Sequence, residues 1–348
     1  MEMNDTSLKF AFTLLAEKTD LPFEVSYALM EEILSGSANE AEIAQFLRSH
    51  TAKGGSATEV AGFIEAMYAH AAPIHIDVRA VDTVGTGGDG FHTINISTTS
   101  AIVAASAGAT VIKHGNRAAT SQSGAADVLE ALHVKVDLNG EQVAELVTEI
   151  GIGFCFAPMF HSAMRHAATA RKSLGFPTIF NILGPLSNPA RPSAYAIGVA
   201  KSEMFPIVAE VLRDRGVDAL VFRGKDGLDE ISLSTPTEMY LISKRGSRLV
   251  EIDPLTWGIK RNPVESLRGG SAIENAEHVR QILAGRPGPM RDVVLLNSAA
   301  ALVAFDGFDL NESIESRFSQ ALTRSSTAID SGKSTSLLNE WVERSHQV

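Results

Sequence analysis

The chain has 348 residues, 45% hydrophobic and 20% charged, with a formal net charge of -11. Such proportions suit a globular enzyme of one large or two smaller domains, and the acidic balance excludes nucleic-acid binding through a broad basic face. No apolar run reaches the roughly eighteen residues of a membrane span, and the single cysteine, Cys155, excludes a disulfide framework or a thiolate zinc site.

At the N-terminus, "MEMNDTSLKFAF" lacks the basic-then-apolar layout of a signal peptide. A reducing, cytoplasmic setting, with no membrane and no nucleic-acid partner, is the expectation. The first seventy or so residues read as short helices. In "SANEAEIAQFLRSH" Ser37 precedes Glu40 at capping-box spacing, and Ile43, Phe46 and Leu47 follow at helical intervals. "SATEVAGFIEAMYAHA" repeats the device with Ser56 and Glu59. No strand pattern interrupts this stretch, which predicts a small helical bundle.

After Pro73 the pattern changes. Apolar, β-branched runs ("AVDTVG", "ATVIKHG", "HVKVDL", "GIGFCFA", "YAIGVA", "DALVFRG", "EMYLI") alternate with helical segments such as "STTSAIVAASAG" and "SEMFPIVAEVLRDRG". This alternation predicts an α/β fold around a largely parallel sheet. "HSAMRHAATARKSLG" reads as another helix and "FNILGPLSNPARP" as a connector. The division expected is a helical domain over residues 1–72, with 162–186 packing against it, and an α/β domain over 76–160 and 190–345.

Within "VDTVGTGGDGFHTINISTTS", Gly85, Gly87 and Gly90 spell the G-x-G-x-x-G of dinucleotide folds. The nicotinamide reading fails on position. The next helix starts at Asn95 to Thr98, the next strand ends in Lys113-His114 where an acid is required, and Asp89 crowds the place of a pyrophosphate. A P-loop fails because Phe91-His92 replaces its Lys-Ser/Thr. A plain tight turn accounts for one or two glycines but not for the polar series Asp89, Thr93, Asn95, Ser97 and Thr98. A phosphate cradle accounts for both, since glycine-rich backbone forms anion nests and helix N-termini favour phosphate. The following strand brings Lys113, His114, Asn116, Arg117, Thr120 and Ser121 to the same sheet edge. No acid lies between Asp89 and Asp127. Asp89 is the exception among donors, placed to accept from a sugar hydroxyl, an amine or a metal-bound water.

The motifs "DTVGTGGDG", "TINIST", "KHGNRAATSQSG", "FAPMFHSAMRHA", "PTIFNILGPLSNP" and "GLDEIS" closely resemble those of the anthranilate phosphoribosyltransferases, and the likeness runs through nearly the whole chain. The resemblance implies a fold of the nucleoside phosphorylase/phosphoribosyltransferase type and a homodimer through the helical domain. It implies transfer of phosphoribosyl from phosphoribosyl pyrophosphate to the amino group of anthranilate, with Mg²⁺, in tryptophan synthesis. It assigns the donor to Gly85, Gly88, Asp89, Thr93, Asn95, Ile96, Ser97, Thr98, Lys113, His114, Gly115, Asn116, Arg117, Ala118, Ala119, Thr120, Ser121 and Ala125. Anthranilate falls to Gly85, His114, Asn116, Arg171 and Pro185, and magnesium to Ser97, Asp229 and Glu230. Lys113 and Asp89 are the catalytic candidates.

Each assignment has a plainer counterpart. Adjacent acids such as Asp229-Glu230 are commonly a solvated face, yet Mg²⁺ takes one or two carboxylates plus substrate phosphates. Arg171 shares its helix with Arg165 and Lys172, a surface pattern, but its planar fork matches a carboxylate. His114 reads as a packed strand-end histidine or a binding residue. Ala125 stands where the family commonly has Ser, and His133 where Gly is frequent. The rival readings are a pyrimidine nucleoside phosphorylase of related architecture, whose phosphate loop resembles "KHSTGGxGD", and a non-catalytic binder of phosphorylated ribose.

Overall fold

The computed structural model describes residues 7–118 and 122–348. Four helices come first: α1 (Ser7–Ala16), α2 (Phe23–Leu34), α3 (Glu40–Lys53) and α4 (Ala57–Ala69). The box of α4 is Ser56 with Glu59, as its spacing predicts. That of α3 is Asn39 with Glu42, two residues later than expected. The reason lies in α2: the amides of Ser37 and Ala38 both donate to the Glu32 carbonyl, so residue 37 is still closing the preceding helix.

The α/β part runs β1 (Val81–Gly85), α5 (Ile96–Ser106), β2 (Val111–Gly115), α6 (Ala125–Ala131), α7 (Gly140–Ile150) and β3 (Ile152–Phe156). A helical excursion follows: α8 (Ala157–Phe160), α9 (Arg165–Leu174) and α10 (Phe180–Leu186). The chain then returns through β4 (Ala194–Gly198), α11 (Phe205–Asp214), β5 (Asp218–Gly224), β6 (Thr237–Ser243) and β7 (Gly246–Ile252). It closes with α12 (Ala272–Leu283), α13 (Pro289–Asp306), α14 (Ile314–Asp330) and α15 (Lys333–Ser345).

The strands form one seven-stranded sheet in the order β3-β2-β1-β4-β5-β6-β7. β1 to β5 pair in parallel, while β6 and β7 add as an antiparallel edge. The chain winds outward from β1 through β2 to β3, then returns to pair β4 on the other side of β1. The order therefore reverses between β1 and β4, the place where open α/β sheets form a ligand crevice. Strand alternation sorts side chains into two cores. Ala194, Ala196, Leu220 and Phe222 face a core shared with α5 and α13, whereas Tyr195, Ile197, Ala219 and Val221 face one shared with α2, α3, α4, α10 and α11.

Two expectations fail locally, and one strand stands where none is predicted. "HVKVDL" is no strand: His133 sits at φ 71, and Val134, Val136 and Leu138 are buried in alternation along an extended segment with no ladder. Its polar backbone is satisfied from the C-terminal helix, the Lys135 amide donating to Ser345 and the His133 carbonyl accepting from His346. The connector "FNILGPLSNPARP" contains α10 despite Gly184 and Pro185, because Phe180, Ile182, Leu183 and Leu186 bury one apolar face. β7 has an exposed Leu249 next to Arg248, with Glu251 two residues on, so no clean apolar alternation marks it as a strand. Among the described residues, no helix is long and apolar enough to cross a membrane.

Candidate active site

The loop that follows β1 turns on Gly87, Gly88 and Gly90, all at positive φ (68, 78 and 81). The Gly87 amide donates to Asp229 Oδ2 at 2.6 Å, so an acid from the β5–β6 loop already sits in this nest. Two strand-end glycines make room for it. Gly85 and Gly198 are register partners on β1 and β4. A Cβ at Gly85 would overlap the Asp229 carboxylate, and one at Gly198 would overlap the Asp229 backbone carbonyl.

Asp229 and Glu230 are buried, 8% and 7% exposed. Burial raises the Asp229 carboxyl, and Asp89, within hydrogen-bonding reach, raises it further. Glu230 is raised by burial and by Asp229, opposed by the Lys113 ammonium and by the Ser97 backbone beside it. Lys113 is 1% exposed; its Nζ donates to the Thr83 carbonyl at 2.6 Å and to Ser97 Oγ at 3.2 Å. Burial pulls its ammonium down, opposed by Asp82 and Glu230. Asp89, Ser97, Lys113, Asp229 and Glu230 thus meet at the carboxyl ends of β1, β2 and β5.

The acid loop is shaped by Asp226, which sequence reasoning missed. Its carboxylate accepts from Ser232 Oγ at 2.6 Å, from the Leu228 amide at 3.1 Å and from Ser234 Oγ. The available signal was the pair Asp226-Gly227 followed in the same loop by Ser232 and Ser234.

Asp229 and Glu230 bring two buried carboxyl groups against one ammonium, Lys113, and Ser97 adds a neutral hydroxyl oxygen. Among the described residues, no group of three or more His, Cys, Asp or Glu is arranged to hold a metal unaided. Two carboxyl groups beside a hydroxyl are oxygen donors of the kind a hard divalent cation takes together with substrate phosphates.

β2 ends in a second polar junction. Asp82 on β1 is fully buried, accepting from the His114 amide at 3.2 Å and from Asn188 Nδ2 at 2.9 Å. Burial pushes its carboxyl up to about 6, against the pull of Lys113. Asn188 Nδ2 also donates to the Ile112 carbonyl at 2.8 Å, tying the chain after α10 to both strands. His114 Nδ1 lies 3.0 Å from the Gly184 carbonyl, which only accepts, so this nitrogen carries the proton. Burial, then the nearby His161, push His114 down to about 3, and the ring is neutral. Its Nε2 is a buried acceptor with no partner among the described residues. Pro185 is buried next to that Gly184 carbonyl.

Other candidates are placed differently. Arg117 pairs with Asp127 at 3.1 Å and with Glu130 at 2.7 Å and lies over the Phe156 ring, so its guanidinium is engaged within its own loop. Asp127 holds the amides of Ala118 and Gly124 at 2.9 and 2.8 Å. Gly115 closes against Phe154 and Ala125. Asn116 accepts from the Arg117 amide. Ile96 and Thr98 are buried, which leaves their backbone for any ligand, and Thr93 bridges to Arg268. Ala119, Thr120 and Ser121 lie outside the described residues.

Arg171 is exposed on α9 with its guanidinium 5.2 Å from the centroid of the Phe180 ring. Partial desolvation lowers its pKa, and among the described residues no acid pairs with it. Asn181, which follows Phe180, faces the glycine loop, its Nδ2 3.8 Å from where a Cβ on Gly88 would stand. Asn181 was also missed, and no spacing signal marks it.

Residues 11–71 match the family described as "Glycosyl transferase family, helical bundle domain", and residues 77–335 match "Glycosyl transferase family, a/b domain". The chain is 49% identical over 328 residues to the anthranilate phosphoribosyltransferase of Arthrobacter sp. (strain FB24), covering 94% of this chain and 93% of that one. The crystal structure of anthranilate phosphoribosyltransferase from Thermus thermophilus aligns with a TM-score of 0.89 at 36% identity, covering 98% of this chain and 100% of that one. The Saccharomyces cerevisiae enzyme in complex with PRPP and Mg aligns with a TM-score of 0.89 at 27% identity, over 99% of this chain and 98% of that one.

Proposed function

The chain belongs to the anthranilate phosphoribosyltransferase family, and from that premise we infer that it transfers phosphoribosyl from phosphoribosyl pyrophosphate to the amino group of anthranilate. The products are N-(5-phosphoribosyl)anthranilate and pyrophosphate, in tryptophan biosynthesis. The observation that carries this reading is the meeting of Asp229-Glu230 with Asp89, Ser97 and Lys113 at the sheet's switch point. The pyrimidine nucleoside phosphorylase reading is set aside, since the relatives carry the transferase name over nearly their full length.

The sugar's anomeric carbon–oxygen bond breaks, its electron pair leaving with pyrophosphate, and an oxocarbenium-like centre develops. The anthranilate nitrogen then bonds to that carbon and gives up a proton. The aromatic amine keeps its lone pair at neutral pH, so no strong base is required, consistent with the neutral His114. The glycine loop and the start of α5 would receive the phosphates, with Lys113 adding positive charge from beneath through Ser97. Each such contact is worth roughly 3–4 kcal/mol of transition-state stabilisation. Asp89 would accept from the ribose or the incoming amine. Ser97, Asp229 and Glu230 would hold Mg²⁺, which supplies Lewis-acid neutralisation of the departing pyrophosphate when bound. Arg171 would fork onto the anthranilate carboxylate while Asn116, His114 and Pro185 line its path.

The domain division proposed is residues 1–72 with 162–186 on one side and 76–160 with 190–345 on the other. The assembly proposed is a cytoplasmic homodimer through the helical part. The test of the activity is loss of anthranilate fluorescence, expected with phosphoribosyl pyrophosphate and Mg²⁺ and abolished by chelation. Persistent fluorescence, or turnover of thymidine with phosphate, contradicts it.

A further inference from the structure

Asn275 lies in the first turn of α12, in a stretch of chain that carries none of the motif residues. It is 2% exposed, and its carboxamide joins two loops through a chain of hydrogen bonds whose orientations are all forced. The Gly270 amide donates to Asn275 Oδ1 at 2.8 Å. Because an amide N–H only donates, Nδ2 of Asn275 must point the other way. There it donates to Asn95 Oδ1 at 2.8 Å, which in turn directs Asn95 Nδ2 onto the Ser123 carbonyl at 3.1 Å. Ser123 Oγ adds a weaker bond to Asn95 Oδ1 at 3.4 Å. The relay starts at a backbone donor and ends at a backbone acceptor, so no member can flip.

The surrounding backbone reinforces the link. The Ile94 amide donates to the Leu267 carbonyl and the Gly269 amide to the His92 carbonyl, both at 2.9 Å. Gly269 admits no side chain, since a Cβ there would stand 2.7 Å from Asn275 Oδ1 and 2.8 Å from the Thr93 carbonyl.

Asn95 occupies the N-cap position of α5, where an Asn side chain ordinarily accepts from the second or third helical amide. It makes no such bond here, because the relay diverts its oxygen. The Asn95 side chain thus caps neither the Ser97 nor the Thr98 amide, at the end of α5 that faces the proposed donor site.

We propose that Asn275 is a positioning residue for the phosphoribosyl donor: by holding the Asn95 carboxamide away from α5, it keeps the helix N-terminus open to a phosphate and ties Ser123, just ahead of α6, to that end of the helix. This rests on the donor assignment of the proposed function. Without Asn275, the Asn95 carboxamide keeps only Ser123, through Nδ2 at 3.1 Å and the weaker 3.4 Å bond to Oδ1, and its oxygen can turn to cap α5 in competition with the ligand.

The experiment is calorimetric binding of phosphoribosyl pyrophosphate with Mg²⁺, alongside steady-state kinetics, on Asn275→Ala and Asn275→Asp. Aspartate keeps the acceptor for Gly270 and removes the donor to Asn95, so it serves if the alanine variant fails to fold. Both variants are expected to weaken donor binding about tenfold, the equivalent of one hydrogen bond, with kcat and the KM for anthranilate within about twofold. In the Asn95→Ala background, Asn275→Ala should add no further loss. Unchanged donor affinity in a folded variant, equal losses in both KM values, or multiplying effects in the double variant would overturn the proposal. If wild-type protein binds the donor but leaves anthranilate untouched, the proposed activity fails while the binding comparison still judges Asn275.

Discussion

Gly198 lacks the one atom that would push the acidic loop off the sheet edge. A Cβ there collides with the Asp229 carbonyl, a backbone atom that cannot swing aside. Gly198→Ala should therefore displace Asp229 and Glu230, with an overpacking cost of about 1–3 kcal/mol. The expected result is a fall in kcat/KM of at least about tenfold and a raised Mg²⁺ requirement, read by metal titration of a folded variant. Arg171 offers a contrasting case, since its guanidinium stacks on Phe180 with no acid beside it among the described residues. Arg171→Ala should raise the KM for anthranilate by about 10- to 100-fold, the loss of a charge-assisted pair, and leave the KM for the donor near wild type. An unchanged anthranilate KM would remove the assigned role. At this scale the sequence showed which residues are polar and near in chain, such as Asp89, Ser97 and Lys113. It did not show which polar atoms are engaged by the protein itself. Arg117 lies inside the donor motif yet binds Asp127 and Glu130, while Asn181, Asp226 and Asn275 arrive from distant segments by folding alone.

Helix α4 concentrates the stability of the helical layer in one buried carboxylate. Glu59 is 0% exposed, accepts from the Leu21 and Ser56 amides at 2.8 Å, and pairs with Lys53. Burial alone would raise its pKa; His50, whose Nε2 lies 3.2 Å from Glu59 Oε2, with Leu21 and Lys53, outweighs burial and brings it from 4.5 down to about 2. A depressed folded-state value means stabilisation present above pH 4.5 and lost as pH falls toward 2. The shift corresponds to on the order of 3 kcal/mol. Denaturant titrations should show wild type losing that increment between those two values, with Glu59→Gln less stable at neutral pH and flatter in acid. Equal acid sensitivity in both proteins would contradict the network. Element type was largely legible because periodicity is a local property: the N-terminal helices and six of the strands stand where their patterns put them. "HVKVDL" was misread because alternation reports a half-buried extended chain and not the neighbour that pairs with it.

Over the whole molecule, strand order places the two motif loops beside the return strand β4, so residues far apart in sequence share one crevice. Net charge is -11, yet no acid occurs between Glu149 and Glu203, the stretch that contains α9 and α10. Attraction for anionic substrates is thus local and short-ranged under screening. The helical face leaves Phe10 51% and Phe23 36% exposed. For the proposed homodimer, sedimentation should report twice the 37.1 kDa chain mass, and a concentration-independent monomer would refute it. The architecture was legible from alternating strands and helices, but the switch point was not, since strand order depends on long-range pairing.

The most direct measurement is a crystal structure of the protein soaked with phosphoribosyl pyrophosphate and Mg²⁺. Density for the diphosphate is expected between the loop from Gly85 to Asp89 and the start of α5, with the cation against Asp229 and Glu230. A donor bound elsewhere, with that crevice filled only by solvent, would contradict the account.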